Sequence, residues 1–288
     1  MGKEQLRKVF RASSFFVFLH LGQTQDAMKD QDAQIEQLLQ ALPPITLEDM
    51  SAIRLMKRTD CKYLTNFPTL VKLLERVRGN YFSQEIDGHR ISPYATTYWD
   101  KKEGQSMYQQ HQCGHLPRTK VRVRTYVASD ESFLEVKKKD NHGKTHKKRV
   151  KVPSLQAVME ENFGEDFLEQ RTGWHFDELK PTVGNRFNRI TLVNFDKTER
   201  LTIDFNIHFH NLETGEEKDM NPIVVIELKR DGRAPSPILP LLRELRIKPS
   251  GFSKYCIGAT VTNDALQVNR FKKRLIKINK VAQKSPQC

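Results

Sequence analysis

Apolar and polar positions alternate with a period of two along several stretches of this chain, and the polar positions are unusually rich in charge. In TKVRVRTYV, Val121, Val123, Thr125 and Val127 fall on one face and Lys120, Arg122, Arg124 and Tyr126 on the other. FLEVKKK repeats the pattern, with Leu134, Val136 and Lys138 opposed to Glu135, Lys137 and Lys139. DNHGKTHKK then turns the chain into RVKV, which predicts a hairpin over residues 133–152. The same mixed-charge alternation returns in ERLTIDF, where Arg200, Thr202 and Asp204 oppose Leu201, Ile203 and Phe205. It returns again in VVIELKR, where Glu227 and Lys229 oppose Ile226 and Leu228. IRLMKRTDCKYLTN, YFSQEIDGHR, YATTYWD and RFNRITLVNF are further strands.

Helical spacing is confined to fewer segments. Leu70, Leu73 and Leu74 predict a helix from Pro68 to about Arg78, stopped at Gly79; Leu155, Val158, Met159 and Phe163 predict another from Ser154 to about Gln170. SPILPLLRELRI, SGFSKYCIGATV and the basic tail NRFKKRLIKINKVAQK also read as helices, and a Gln-rich stretch from Ala27 to Leu42 can form one. Two prolines in LPPITLEDM break that stretch and Thr46 caps a new segment, so the domain boundary is set here. Residues 1–43 are then an extension, poorly ordered or helical, and 44–288 one domain. The apolar run from Phe15 to Leu21 is too short to span a membrane and makes a poor leader. The expected class is α+β, a strand-rich antiparallel domain with helices outside.

Charge sharpens the picture. With 48 Lys+Arg against 35 Asp+Glu in 288 residues, a net charge of +13 favours a polyanionic partner. The four cysteines are scattered without a CxxC pair, which argues against a zinc site or disulfide framework and suits a reducing, cytoplasmic setting, with or without a membrane nearby. A wet exterior is the plain explanation of any one mixed-charge strand. Repeated over several strands that close into a barrel, the charged faces make a tunnel, tolerable only when filled by a multivalent anion and water. Glu135 and Glu227 each precede a lysine by two residues, and carboxylates within a phosphate site imply a divalent cation, Mg²⁺ or Mn²⁺. GKT at 143–145 lacks the upstream glycine of a P-loop, and His208 with His210 lacks a third ligand. A sequence-independent nucleic-acid binder calls for an open groove with exposed aromatics rather than mixed-charge strands.

MKRTDCKYLTN, followed in order by YWD, KVRVRTY, FLEVKKK and IELKR, resembles the catalytic domain of the vacuolar transporter chaperone (VTC) polyphosphate polymerases, within the CYTH-like triphosphate tunnel metalloenzymes. The likeness runs from about Ile45 to the basic C-terminus. It implies an antiparallel β-barrel that binds ATP and inorganic polyphosphate and joins the nucleotide's terminal phosphate to the chain, with a membrane-protein partner as a further possibility. By this resemblance Arg58 and Lys62 match the first basic motif, Arg122 and Arg124 the paired arginines, and Lys137 the Glu-x-Lys lysine. One more cation lies among Lys147, Lys148 and Arg149, of which Lys148 and Arg149 are taken as phosphate ligands. Arg189 and Arg200 match the arginines of later strands, Ser253 and Lys254 a helix-borne pair, and Glu227 the metal ligand, with Glu135 and Asp204 as accessories. Gly251 departs from the basic residue often found before that serine. The N-terminal Glu-x-Glu-x-Lys of the small tunnel triphosphatases is absent, which favours the polymerase branch; a non-catalytic polyphosphate or inositol-phosphate module and a tunnel triphosphatase are the alternatives.

Overall fold

The computed structural model of the chain describes residues 22–51, 58–232 and 234–284. In chain order the elements are α1 (Gly22–Gln40), β1 (Pro44–Ile45), α2 (Leu47–Ser51), β2 (Arg58–Asn66), α3 (Phe67–Arg76), β3 (Tyr81–Gln84), β4 (Ser92–Lys101), α4 (Met107–Cys113), β5 (Arg118–Tyr126), β6 (Glu131–Lys139) and β7 (Thr145–Val152). They continue with α5 (Leu155–Glu160), α6 (Glu165–Thr172), β8 (Leu179–Asn194), β9 (Glu199–Asn211), β10 (Glu217–Asp219), β11 (Ile223–Asp231), α7 (Ile238–Glu244), α8 (Lys254–Val261) and α9 (Lys272–Ala282).

The fold is α+β, built on one eleven-stranded sheet whose main path runs β2, β11, β9, β8, β4, β5, β6, β7. Every step along that path is antiparallel. The expected barrel is corrected in one respect: among the described residues backbone pairing does not close it, and β2 and β7 are the two ends of the path. The sheet nevertheless curls. Lys62 Nζ on β2 donates to Phe252 O at 3.1 Å, while Lys120 Nζ on β5 donates to the adjacent Ser253 Oγ at 2.9 Å. Strands that are remote in sheet order thus reach the same two residues, as the coiling of a twisted sheet allows. Ser250 N also donates to Lys62 O at 2.7 Å. The product is a trough, with residues 249–253 strapped between its walls.

Alternation decides what each side of the sheet buries. Outward-facing Ile190, Leu192, Leu201, Ile203, Val224 and Ile226 pack beneath α1, α3 and α7; Val121, Val123, Leu134 and Val136 pack beneath Val158 of α5 and Leu168 of α6. At about 25 cal/mol per Å² of apolar surface removed from water, these layers supply the main driving force for folding. The single helix expected over 154–170 is two helices. Asn162 and Gly164 take positive φ between them, and a Cβ at Gly164 would stand 2.9 Å from Leu134 Cδ2. Phe163, expected on the buried stripe, is 43 % exposed.

The packed body also starts before the predicted boundary at Pro44. Ile35 and Leu39 of α1 are fully buried, Asp32 accepts from Asn188 and Asn206 Nδ2 at 3.0 and 2.9 Å, and buried Arg90 donates to Leu42 O at 2.7 Å. Ile35 and Leu39, four apart, with Leu38 beside them, seat this largely polar helix. The expectations for residues 1–21, including the apolar run, lie outside the described residues. Among those described, no helix is long and apolar enough to cross a membrane.

Candidate functional site

Cross-strand register gathers the charged positions of β5, β6 and β7 on the trough side. Glu135 is opposite Arg122 on β5 and Arg149 on β7, and Lys137 is opposite Lys120 and Lys147. Arg122 Nε and Nη2 reach Glu135 Oε2 at 2.7 and 2.6 Å, and Lys147 Nζ reaches Oε1 at 2.5 Å. Arg149 lies 4.4 Å over the Phe133 ring and donates to Tyr126 Oη at 3.3 Å. Arg124 is buried 5.6 Å over Tyr94, and its Nε has no hydrogen-bond partner among the described residues. Lys148 is a correction: it pairs with Val136, whose side chain belongs to the outer core, so it projects away from the trough. Lys147 occupies the position that the hairpin was expected to give Lys148.

The opposite wall is built by β8, β9, β11 and β2. Arg189 grips Asp204 through Nε at 2.6 Å and Nη2 at 2.8 Å, and Lys254 bonds the same carboxylate. The Lys254 ammonium also lies 3.9 Å from the Phe187 ring centre. Glu227 is opposite both Lys62 and Thr202, with Lys62 Nζ at 3.9 Å and Lys229 Nζ at 3.7 Å. These separations exceed hydrogen-bond length, so Glu227 is neutralised without being clamped. Arg200 is opposite Lys229. Arg58 opens β2, but its side chain lies outside the described part.

α8 presents Ser253 and Lys254 to this space. Ser253 caps the helix, accepting from Cys256 N at 3.3 Å as well as from Lys120. A Cβ at Gly258 would lie 2.6 Å from Phe209 Cδ1 and 2.9 Å from Val183 Cγ1, so glycine is what lets α8 settle on the apolar part of the inner face. Asp100, from YWD, accepts from Tyr255 Oη at 2.6 Å and from Met107 and Tyr108 N at 2.5 and 3.2 Å. It therefore ties α8 to the start of α4. The flank of Gly251 is taken by the Arg274 guanidinium of α9.

Crowding leaves a clear electrostatic signature. Burial depresses Arg124 to about 10, reinforced by Arg122 and Arg189, and depresses Lys120 to about 8 with help from Lys62 and Arg122. Burial likewise brings Lys229 to about 8 and Lys254 to about 7, although Glu227 and Asp204 respectively oppose the shift. Lys137, reached by water yet walled by protein, is lowered by burial and then by Lys62 from the far wall and by Lys120. Burial works against the charge of Glu227, but Lys62, Lys229 and Arg189 outweigh it and hold the carboxyl at about 2. Glu135 is held at about 2 against burial by Arg122, Arg124 and Lys147. Burial is thus the main cause of the lowered cations, with neighbouring like charge adding to it, while the two carboxylates stay charged because cations surround them.

These carboxylates differ as metal donors. Both oxygens of Glu135 and both of Asp204 are committed to cations, so their expected role as accessory ligands is not supported by the arrangement. Glu227 keeps open lone pairs beside Lys62 and Lys229, which fits a Mg²⁺ or Mn²⁺ ion that takes one carboxylate and completes its shell with other oxygens. Among the described residues no three His, Cys, Asp or Glu side chains form a metal cluster. GKT falls in the turn between β6 and β7, where Gly143 has φ of 77°. Lys120, Lys147 and Lys229 were not assigned from sequence, although strand parity places Lys120 with Arg122 and Lys229 with Glu227.

Residues 57–263 match the model of the VTC domain family. The chain belongs to the VTC domain family. No curated protein matches this VTC domain significantly in sequence. Solved structures similar to it include a Hippeastrum protein described as an adenylyl cyclase with a dominant triphosphatase activity, at 15 % identity and TM-score 0.45, covering 74 % of this chain and 99 % of that one. A Bacillus halodurans protein described as an adenylate cyclase is 16 % identical with TM-score 0.39, covering 81 % and 96 %. The RNA triphosphatase of S. pombe is 7 % identical with TM-score 0.27, covering 93 % and 94 %. At such distances these likenesses say nothing about what this VTC domain binds or does.

Proposed function

We propose that the trough is the active site of an ATP-dependent polyphosphate polymerase, which transfers the terminal phosphate of the nucleotide to a growing inorganic polyphosphate chain. The observation that carries this reading is Arg124: a guanidinium disfavoured by burial and then by Arg122 and Arg189, whose Nε has no hydrogen-bond partner among the described residues, on a surface that also holds Glu227, a carboxylate neutralised yet open. A multivalent phosphate supplies the negative charge that such a surface lacks.

Phosphoryl transfer requires alignment and neutralisation rather than a protein nucleophile, because the attacking atom is an oxygen of the acceptor phosphate. Arg124 presents a forked donor suited to holding phosphate oxygens at fixed angles, while Arg189, whose Nε and Nη2 are taken by Asp204, contributes its charge and Nη1. Lys62, Lys137 and Lys254 are point charges on flexible stems, suited to a chain that advances by one phosphate at a time. Glu135 and Asp204 orient the arginines beside them and keep the empty trough from excessive repulsion. Glu227 would hold a divalent ion, which would supply charge compensation for the leaving nucleoside diphosphate. Incubating the purified chain with ATP and Mn²⁺ and running the product on a gel tests the reading: a ladder of polyphosphate is expected. Tight polyphosphate binding without a ladder would make the domain a binding module, and release of orthophosphate alone would make it a triphosphatase.

A further inference from the structure

A second concentration of cations lies apart from the charged inner surface of the trough, in a cavity of about 120 Å³ at the end of β2. Its polar lining is Asn66 and Thr69 at the start of α3, Arg246 and Lys248 after α7, Lys277 on α9 and Lys284 just past it, set among apolar Leu64, Leu245, Ile247 and Val281. No aspartate or glutamate is among its lining residues. Asn66 joins the parts, donating from Nδ2 to Val281 O at 3.2 Å and Lys284 O at 2.7 Å while its Oδ1 caps Thr69. Lys277 spans the floor, its Nζ 2.9 Å from Pro249 O. Its ammonium is disfavoured by burial and by neighbouring Lys248.

The backbone adds an independent sign. Arg246 has φ of 53°, in the left-handed region, directly after α7. Glycine is the usual occupant of that place, and a side chain held there costs of order 1 kcal/mol or more, yet the position that ends α7 and lines the cavity is an arginine. A water occupies about 30 Å³, so the cavity has room for a few water-sized groups, well short of the roughly 300 Å³ or more of a nucleotide-sized pocket.

We infer that this cavity is a second anion site, which takes a small inorganic phosphate such as diphosphate through Arg246, Lys248, Lys277 and Lys284. It is independent of what the trough does. Through Lys277, which grips the carbonyl of Pro249, an occupant would bear on the strap that meets Lys62 and Lys120.

The test is a calorimetric titration of the full chain with inorganic diphosphate at one salt concentration, with the trough weakened by Arg124→Ala and Lys137→Met. Binding is expected to remain. Adding Lys248→Met with Lys284→Met, both exposed residues, should then weaken it at least about tenfold. Lys272→Met, an exposed lysine of α9 outside the cavity lining, removes one charge as the control and should change it less than about threefold. Loss of all binding in the trough-weakened parent would overturn the inference. So would losses from Lys248→Met alone no greater than those from Lys272→Met, since that pattern is general attraction. Failure of the trough reading shows separately, as identical stoichiometry and affinity in the wild type and the trough-weakened chain.

Discussion

The two faces of the β5–β6 pair carry similar numbers of side chains and do opposite things. Outside, Val121, Val123, Leu134 and Val136 are almost wholly buried beneath α5 and α6. Inside, burial and then mutual like charge drive Lys120, Arg124 and Lys137, beside Arg122, below their usual pKa. One face lowers the free energy of the empty protein; the other raises it, a cost that the proposed anion would offset. Stability and binding should therefore be separable by substitutions one residue apart.

The largest expected effect is on turnover. Glu227→Gln preserves shape but removes the open carboxylate, so polyphosphate synthesis should fall by at least about a hundredfold, equivalent to the several kcal/mol that metal charge stabilisation supplies. Tripolyphosphate binding without metal should persist or strengthen, and a ladder assay beside an equilibrium titration reads both. On the outer face, Leu134→Ala should cost about 2–5 kcal/mol of unfolding free energy, measured by denaturant, with unchanged tripolyphosphate affinity in the folded fraction.

The arginines divide more finely. Arg124→Ala should weaken tripolyphosphate binding about ten- to a hundredfold while the ligand-free melting temperature holds or rises. Arg122→Ala should weaken binding too but lower the melting temperature, because it strips a partner from Glu135, which is only 1 % exposed. A next-neighbour pair sharpens the same point: Lys137→Met should lose at least about tenfold in tripolyphosphate affinity and Lys138→Met, on the outer face, less than about threefold.

The smallest effect is a slope. Lys120 titrates near 8 in the folded chain against an ordinary value of 10.5. Below pH 8 both states hold its proton and the folded state bears the full penalty. Between about 8 and 10.5 the folded state releases the proton while the unfolded state keeps it, so ligand-free stability should rise with pH across that window. Melting curves should show the rise shrink in Lys120→Met and flatten when tripolyphosphate is present.

Most of the charged face was legible because strand parity is a local property: once Val121 and Val123 are known to be core, Arg122 and Arg124 must face the other way. What escaped depends on partners distant in sequence. Lys148 was preferred to Lys147 because parity across the hairpin follows from a register, Glu135 opposite Arg149, that the turn sets. Asp204 looked available to metal until Lys254 arrived from another element to share it with Arg189. Other omissions had readable signs. Asn162 and Gly164 interrupt the helical pattern after α5, and Ser106 with Gln109 forms the capping box that starts α4.

An unclosed sheet has exposed backbone at its ends, an invitation to pair with the edge of another molecule and grow into aggregates. On β2 the invitation is partly withdrawn, since Tyr63 bridges to Pro249 and Lys62 O is taken by Ser250 N. On β7, beyond its pairing with β6, no strand follows among the described residues, and the residues along it read THKKRVKV. A second copy approaching that edge would bring Lys147, Lys148, Arg149 and Lys151 against their own counterparts. Like charge along β7 would thus oppose self-association, and neutralising Lys148, which pairs with Val136 and faces away from the trough, would trade solubility for stickiness without touching the inner wall.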